Sequence, residues 1–360
     1  MTRIHQLLSG AGPVDAVTTQ AFEYRSAFRS CGFDGDIHAT SIEPAVRAQV
    51  QPLAELQAEP DDLLLFHYSA YAPRLEPLLE WPQRKLLVYH NVTPAEWLWE
   101  HQPHVATLCA LGRDHLPRWA RAVDVAVAVS EYNAAELRAA GARDTRVVPI
   151  LFDPARLGAS AAAAASASTD GGTRVGPVAA TSDGAPRILS VGRLAPHKRP
   201  DLVLRVFELY RTACAPDARL DMVGEGLSPA YEESLRALAG PGVVIRGRIE
   251  QDELNGLWRD ASVFLTLSEH EGFCVPLLEA FATGTPVIAR PIGGMPEVGG
   301  KAVLWTTDRD LAVIAELVDI AVRYQDLRAE LVARGRKRLD EYEPERVLAL
   351  LRKAVDAVLG

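Results

Sequence analysis

Cysteine is scarce and scattered in this chain of 360 residues. Its four cysteines, Cys31, Cys109, Cys214 and Cys274, lie far apart and form no CxxC pair. That spacing indicates reduced thiols and argues against a zinc site. Long apolar runs are also missing, since no stretch approaches the roughly 18 apolar residues of a spanning helix. The polar start, Met1–Leu8, does not resemble a signal peptide. We expect a cytoplasmic protein.

Runs of lysine and arginine are absent as well, and the formal net charge is −9. A basic face for nucleic acid is therefore disfavoured, and no basic amphipathic patch supports docking on a membrane. What the chain does contain is 48% hydrophobic and 24% charged residues, the balance of a globular protein with an ample core. Its length indicates two domains.

Short β-rich runs alternate with helical patterns along most of the chain, which predicts parallel α/β architecture. Runs such as LLLFH, LLVYH and VAVAV are apolar on both faces, as in strands covered by helices on each side. The predicted strands of the first half are Ile4–Leu8, Asp36–Ala39, Leu63–His67, Lys85–His90, Val123–Val129 and Thr145–Pro149. The predicted strands of the second half are Arg187–Val191, Arg219–Val223, Val243–Arg246, Val263–Thr266 and Pro286–Ala289.

The stretch Ala159–Ser168 reads ASAAAAASAS, which fits either an alanine helix or a flexible linker. Flanking glycines and a proline favour the linker. We therefore expect an N-terminal Rossmann-like domain at 1–155, a linker at 156–186 and a C-terminal Rossmann-like domain at 187–342, with a ligand cleft between the domains. The helix at 343–360 has an apolar stripe, and packs either on its own domain or back on the first one.

The segment Ser268–Gly284 follows a predicted strand with a glycine turn and a helix that has Pro276 near its first position. A helix N-terminus aims backbone N–H groups at a ligand and suits phosphate. Glu271 precedes the helix and Glu279 lies within it, with seven residues between them. Either carboxylate alone reads as a solvated charge, but together they suit pairs of sugar hydroxyls.

A second segment, Ser190–Pro200, places Arg193 and Lys198 in a loop at the carboxyl end of another strand. Two cations there could clamp a diphosphate and stabilise a leaving nucleotide. In the first half, His67 and His90 each end a buried strand, and both are expected at the cleft edge. One such histidine is usually structural, whereas two on adjacent strand ends favour function.

These segments resemble the retaining glycosyltransferases of family 4, whose donor domain carries a VGR-x4-K loop and an E-x7-E segment. The resemblance covers Arg187–Leu304 and is weaker in the first half. It implies a GT-B fold, with Arg193 and Lys198 on the diphosphate, Glu271 on donor-sugar hydroxyls and Glu279 on the ribose. His90 matches the family's histidine near the reacting sugar. The remaining implied donor contacts are Gly12, Gly224, Arg248, Gly272, Phe273, Cys274, Val275 and Leu277.

Two positions qualify that assignment. Cys274 stands where the family often has glycine, although its backbone could still bind donor. The turn that contains Gly12 could be only a tight turn, and Asp15 could cap the following helix. His67 and Glu225 are accessory candidates without an assigned role.

The resemblance implies transfer of a hexose from a nucleotide-diphosphate sugar to an acceptor hydroxyl, and the sugar most common in the family is mannose or glucose. It also implies that the anomeric configuration is retained and that no metal or cofactor is required. No DxD pair follows a predicted strand. The acceptor is open and could belong to polysaccharide, glycolipid or glycoconjugate synthesis. The alternatives are another GT-B enzyme, such as an epimerase or phosphorylase, and a non-catalytic nucleotide-sugar-binding protein. A further alternative is an NAD-dependent dehydrogenase, but this chain lacks the full G-x-G-x-x-G turn of that class.

Overall fold

A computed structural model describes residues 2–13, 15–158 and 184–360. The chain forms two compact units. The first comprises Met1–Trp99, Pro103–Leu151 and Pro344–Gly360, and the second comprises Glu100–Gln102 and Phe152–Glu343. Most of the linker expected at 156–186 lies outside the described residues. In the part of the chain that is described, no helix is long and apolar enough to cross a membrane.

The first unit is built on a seven-stranded sheet with the order β3-β2-β1-β4-β5-β6-β7. All of its strand pairs are parallel. The strands are β1 (Ile4–Leu8), β2 (Ile37–Ala39), β3 (Gln51–Pro52), β4 (Leu63–Tyr68), β5 (Arg84–Tyr89), β6 (Val125–Ala128) and β7 (Thr145–Val147). Between them run helices α1 (Ala16–Ser30), α2 (Pro103–Ala122) and α3 (Glu131–Ala139).

The second unit has a six-stranded parallel sheet with the order β10-β9-β8-β11-β12-β13. Its strands are β8 (Arg187–Val191), β9 (Arg219–Val223), β10 (Val243–Gly247), β11 (Val263–Thr266), β12 (Val287–Ala289) and β13 (Val303–Trp305). Its helices are α4 (Pro200–Ala213), α5 (Pro229–Leu238), α6 (Gln251–Asp260), α7 (Val275–Thr283), α8 (Met295–Gly299), α9 (Leu311–Arg323) and α10 (Gln325–Leu339).

The last helix, α11 (Pro344–Leu359), belongs to the first unit. Its apolar stripe contributes Val347, Leu351 and Val355 to a core that also contains Leu86 and Val88 of β5. Burying such a stripe is what stabilises a terminal helix, because an isolated helix of this length is marginal in water.

The parallel α/β architecture predicted from the sequence is confirmed: each unit has a parallel sheet with helices, which is the GT-B arrangement of two Rossmann-like units. The apolar runs do form the central strands. Two edge strands, β3 and β13, were not predicted. They contain only two and three residues, so neither offers enough alternation to be recognised.

Candidate active site

The N-terminus of helix α7 is the centre of the candidate site in the second unit. Strand β11 ends at Thr266, and the chain then turns into the helix at Val275, with Pro276 in its first turn as predicted. Cys274 holds the N-cap position with φ 80° and ψ 75°, in the left-handed region. No described side chain caps this helix. Its positive end is therefore left to be satisfied by a ligand or by water.

The backbone conformation of Cys274 accounts for the glycine that is frequent at this position in the family that the sequence resembles. A side chain at positive φ is strained, and glycine adopts that conformation without cost. The thiol is buried, and burial together with the nearby charge of Glu271 raises its pKa well above the ordinary value. This cysteine is consequently a neutral packing group whose backbone turns the chain into the helix.

The carboxylate of Glu271 lies just before the helix and has partners on both oxygens. Lys198 Nζ lies 2.5 Å from Oε2, and the Ser268 hydroxyl donates to Oε1 over 2.9 Å. Ser268 is itself within 3.1 Å of the Thr266 hydroxyl. Glu271 is only 7% exposed. The structure thus brings together two residues, Lys198 and Glu271, to which the sequence had given separate roles.

This ion pair still allows Lys198 to meet a phosphate. An ammonium group has three protons to donate and no accepting atom. One proton can bind Glu271 while the others bind an anion, and the Lys198 side chain is 27% exposed. The pair therefore orients the ammonium group beside the helix N-terminus.

The loop that carries Arg193 is held against its neighbour by backbone hydrogen bonds. The Gly192 N–H donates to the Val223 carbonyl, and the Leu194 N–H donates to the Glu225 carbonyl, each over 2.9 Å. Gly224 has φ +149°, and a Cβ there would collide with the Gly192 carbonyl oxygen. Gly224 is therefore needed for the close approach of two loops, a structural reason for a glycine that the sequence assigned to donor binding.

His197 is a buried residue beside the site and was not predicted from the sequence. Burial, the charge of Lys198, the neighbouring His270 and the charge of Arg193 together lower its pKa to about 2. The same interactions place both predicted cations near one imidazole. A neutral ring beside these two cations adds no third positive charge to the site. Because the loop sequence shows no pattern around this histidine, only the fold reveals it.

Glu279 lies in the second turn of α7 and is partly exposed. Burial raises the pKa of its carboxyl group to about 7, and the charge of Arg156 opposes that rise. It can therefore change protonation near neutral pH.

Arg248 follows β10 and is exposed. Its neighbour Arg246 instead pairs with Asp221 at 2.7 Å and with Glu253 at 3.0 Å.

The backbone of the α7 N-terminus differs in one detail from the contacts expected for 272–277. Pro276 has no N–H, and the Leu277 N–H donates to the Cys274 carbonyl over 3.1 Å. Donation to a ligand from Leu277 would compete with that turn bond. Phe273 is buried with its ring edge-on to Tyr342, 5.8 Å between centroids, so its side chain packs and only its backbone could serve a donor. Gly272 and Val275 lie on either side of the turn.

In the first unit, Gly12 lies in the turn between β1 and α1 and lines a small cavity of about 290 Å³ with Ser9, Ser41 and Glu43. Its N–H donates to the Thr18 hydroxyl over 3.1 Å. Asp15 caps α1, since the Thr18 N–H donates to its Oδ2 over 2.9 Å. The structural role expected for Asp15 is confirmed.

His67 lies near the end of β4, His90 directly follows the adjacent strand β5, and the two side chains are in direct contact. His67 Nδ1 lies 2.9 Å from His90 Nε2, and His67 Nε2 lies 2.9 Å from Gln6 Oε1. His67 is 2% exposed and His90 is half-buried. Burial lowers the pKa of His90 to about 4, and burial together with His90 lowers that of His67 well below its usual range. Both rings are therefore neutral near pH 7.

A larger cavity in the second unit, about 590 Å³, lies beside the α7 site, with Ser268 on its wall. Two of its arginines, Arg199 and Arg290, share Glu269 Oε1 at 2.6 and 2.7 Å. Arg199 is also paired with Asp201 at 2.9 Å. These guanidinium charges are thus largely neutralised by protein carboxylates. Among the described residues, no cluster of three or more His, Cys, Asp or Glu side chains could hold a metal ion.

The fold and the site define a class: proteins with two Rossmann-like units of GT-B type. Residues 177–338 match the family Glycosyl transferases group 1. The part of the chain that is similar to this family includes the Arg193 loop and all of α7.

One sequence relative and two solved structures illustrate the similarity. A GDP-mannose-dependent alpha-mannosyltransferase of Mycobacterium tuberculosis is 35% identical over 150 residues, which are 42% of this chain and 35% of the relative. The solved sucrose-phosphate synthase of Thermosynechococcus elongatus covers 98% of both chains with a TM-score of 0.71 at 17% identity. Anabaena HepE, solved with UDP-glucose, covers 99% of both chains with a TM-score of 0.70 at 14% identity.

The matches to the curated relatives are partial. They span between 21% and 46% of those proteins' lengths. The two solved structures show the likeness of fold over nearly the whole chain.

Proposed function

We propose that the protein transfers a sugar from a nucleotide-diphosphate donor to an acceptor hydroxyl. One observation carries this proposal: the Lys198–Glu271–Ser268 cluster at the uncapped N-terminus of α7. An ammonium group and a helix N-terminus together favour a diphosphate, and a carboxylate beside them favours sugar hydroxyls. A nucleotide sugar presents both groups in one molecule.

Charge develops on the nucleoside diphosphate as the bond to the sugar breaks. Lys198 and Arg193 would neutralise it, and the first-turn N–H groups of α7 would donate to its oxygens. Fixed donors of this kind stabilise a transition state because they need no reorganisation as the charge appears. With these groups the reaction needs no metal ion, and turnover should persist in EDTA. Loss of activity in EDTA that manganese restores would contradict this part of the proposal.

Retention of the anomeric configuration follows from the resemblance to family 4 and is part of the same proposal. The carboxylate of Glu271 would bind hydroxyls of the donor sugar, and Glu279 would bind the ribose. His90 would lie near the reacting sugar. The sugar is proposed to be mannose or glucose, in line with the GDP-mannose named for one relative and the UDP-glucose named for one solved structure. The acceptor class and the cytoplasmic location stay predictions from the sequence.

A panel of UDP-, GDP- and ADP-linked glucose and mannose tests the proposal. Purified protein is incubated with each donor, and release of nucleoside diphosphate is measured with and without acceptor mixtures. We expect release from one donor class, and proton NMR of the sugar product should show the anomer of the donor. A thermal shift with nucleotide sugars but no turnover would indicate a non-catalytic binding protein. Binding of NAD with no response to any nucleotide sugar would point to a dehydrogenase.

A further inference from the structure

Three polar side chains form a hydrogen-bonded row through the core of the first unit. Gln6 lies on β1, His67 on the adjacent strand β4, and His90 directly after β5. The Gln6 Oε1–His67 Nε2 and His67 Nδ1–His90 Nε2 distances are both 2.9 Å. Gln6 is 1% exposed. Water therefore does not compete for the Gln6–His67 end of the row.

The orientation of the Gln6 amide is fixed by a backbone group. Gln6 Nε2 donates to the Ala21 carbonyl of α1 over 2.9 Å. A flipped amide would place its oxygen against the carbonyl oxygen, and two acceptors would then face each other without a proton. Gln6 Oε1 must therefore face His67, where it can only accept.

This orientation determines both imidazole tautomers. Because Gln6 Oε1 accepts, His67 Nε2 carries a proton. A neutral imidazole has one proton, so His67 Nδ1 is an acceptor. His90 Nε2 must then carry the proton that it donates to His67. His90, also neutral, is left with an unprotonated Nδ1.

The surroundings keep the row in place. The centroids of the Tyr24 and His67 rings are 6.0 Å apart, and the backbone N–H of His90 donates to the Tyr68 carbonyl over 2.9 Å. The two imidazole planes are 22° apart. No partner for His90 Nδ1 is found among the described residues, and His90 is the half-buried end of the row. A buried amide thus controls the hydrogen-bonding character of the half-buried His90 ring.

We propose that Gln6 and His67 are positioning residues that hold His90 as its Nε2–H tautomer, so that His90 Nδ1 accepts a hydrogen bond from a hydroxyl of the sugar substrate. The tautomer assignment stands on the hydrogen-bond geometry of the row and on both rings being neutral. The identity of the hydroxyl rests on the proposed function. The two parts are tested by different measurements.

Nitrogen-15 NMR of histidine-labelled protein tests the tautomers without any substrate. Single His67→Gln and His90→Gln variants identify the two sets of signals. At pH 7 both rings should show a protonated Nε2 and an unprotonated Nδ1. A His90 ring with a protonated Nδ1 in the wild-type protein would overturn the proposal.

Two substitutions of Gln6 test whether the amide controls the tautomers. Gln6→Met keeps the length of the side chain but removes the acceptor, so both histidines should show mixed tautomers. Gln6→Glu is nearly isosteric and keeps an acceptor towards His67, and as a neutral acid it can also donate to Ala21. It should restore the wild-type pattern. Unchanged tautomers in Gln6→Met would contradict the role of Gln6.

Kinetics test the link to function. Gln6→Met should lower kcat by roughly tenfold, the equivalent of one hydrogen bond in the transition state, with a smaller change in KM, and Gln6→Glu should recover most of the loss. Gln20→Met is the matched control. Gln20 is equally buried and donates to the Tyr24 hydroxyl over 3.0 Å, but it is not part of the row. Melting temperatures of all three variants separate loss of fold from loss of rate.

The results discriminate between the tautomer inference and the proposed function. A fall in kcat for Gln20→Met equal to that for Gln6→Met would reduce the row to a structural role and overturn the proposal. A wild-type protein that turns over no nucleotide sugar would remove the proposed function, while the NMR result would still decide the tautomers.

Discussion

Removing the ammonium group of Lys198 separates the structural role of the Lys198–Glu271 pair from its catalytic role. Glu271 is 7% exposed, and its carboxylate contacts Lys198 and the Ser268 hydroxyl. In Lys198→Met we expect it to keep only the Ser268 hydroxyl. Breaking a fully buried ion pair costs about 3–5 kcal/mol. Because the Lys198 side chain is 27% exposed, we expect a smaller loss of about 2 kcal/mol in the free energy of unfolding.

The same variant should lose roughly 100-fold in kcat/KM, about 3 kcal/mol, if Lys198 stabilises the departing diphosphate. The double variant Lys198→Met with Glu271→Gln removes both charges. It should regain most of the lost stability, because no unpaired carboxylate is left, yet stay as inactive as the single variant. Urea unfolding gives the stabilities, and initial rates of nucleoside diphosphate release give kcat/KM.

Lys301→Met is a suitable control, since Lys301 is an exposed lysine outside the site and its loss should change neither quantity. Near-normal kcat/KM in Lys198→Met would refute the assigned role. Recovery of activity together with stability in the double variant would do the same, because Lys198 would then serve only to neutralise Glu271.

Three further predictions follow from the backbone and charge of the site. Burial raises the pKa of Glu279 from its ordinary 4.5 to about 7, so the folded protein holds this proton more tightly than the unfolded chain. Stability contributed by the neutral form is lost as pH rises from 4.5 through about 7, and Glu279→Gln should flatten that part of a profile of melting temperature against pH. Cys274→Gly should change the free energy of unfolding by less than about 1 kcal/mol, because relief of backbone strain offsets the lost thiol, whereas Cys274→Val should cost about 2 kcal/mol or more. Equal free energies of unfolding for the two variants, measured by urea unfolding, would contradict the strain at φ 80°. Gly224→Ala should cost about 2 kcal/mol and weaken nucleotide binding by calorimetry, since its Cβ would collide with the Gly192 carbonyl; a variant with wild-type stability would contradict the close loop contact.

The sequence predicts best those features that depend on local patterns. The central strands are recognisable because both of their faces are buried, which leaves uninterrupted apolar runs such as Leu63–Tyr68. The start of α7 is recognisable from a glycine turn and Pro276. The contact between His67 and His90 was anticipated in part, since the ends of adjacent parallel strands meet at one edge of a sheet.

Features that depend on distant parts of the chain were not predictable. The Lys198–Glu271 pair joins a loop after β8 to a turn after β11, and neither segment indicates the other. The strain at Cys274 is a property of the backbone that a cysteine in a sequence does not reveal. The role of Gln6 requires three strands in one order together with the carbonyl of Ala21, which no local pattern encodes.

The most direct test of the donor site is a crystal structure of the protein soaked with the nucleotide sugar that it turns over. The diphosphate should contact Lys198 and Arg193 at the N-terminus of α7, and the ribose hydroxyls should bind Glu279. The Lys198–Glu271 pair should persist, with Glu271 also accepting from a sugar hydroxyl. A nucleotide bound elsewhere, or a diphosphate with no contact to α7 or Lys198, would contradict the account.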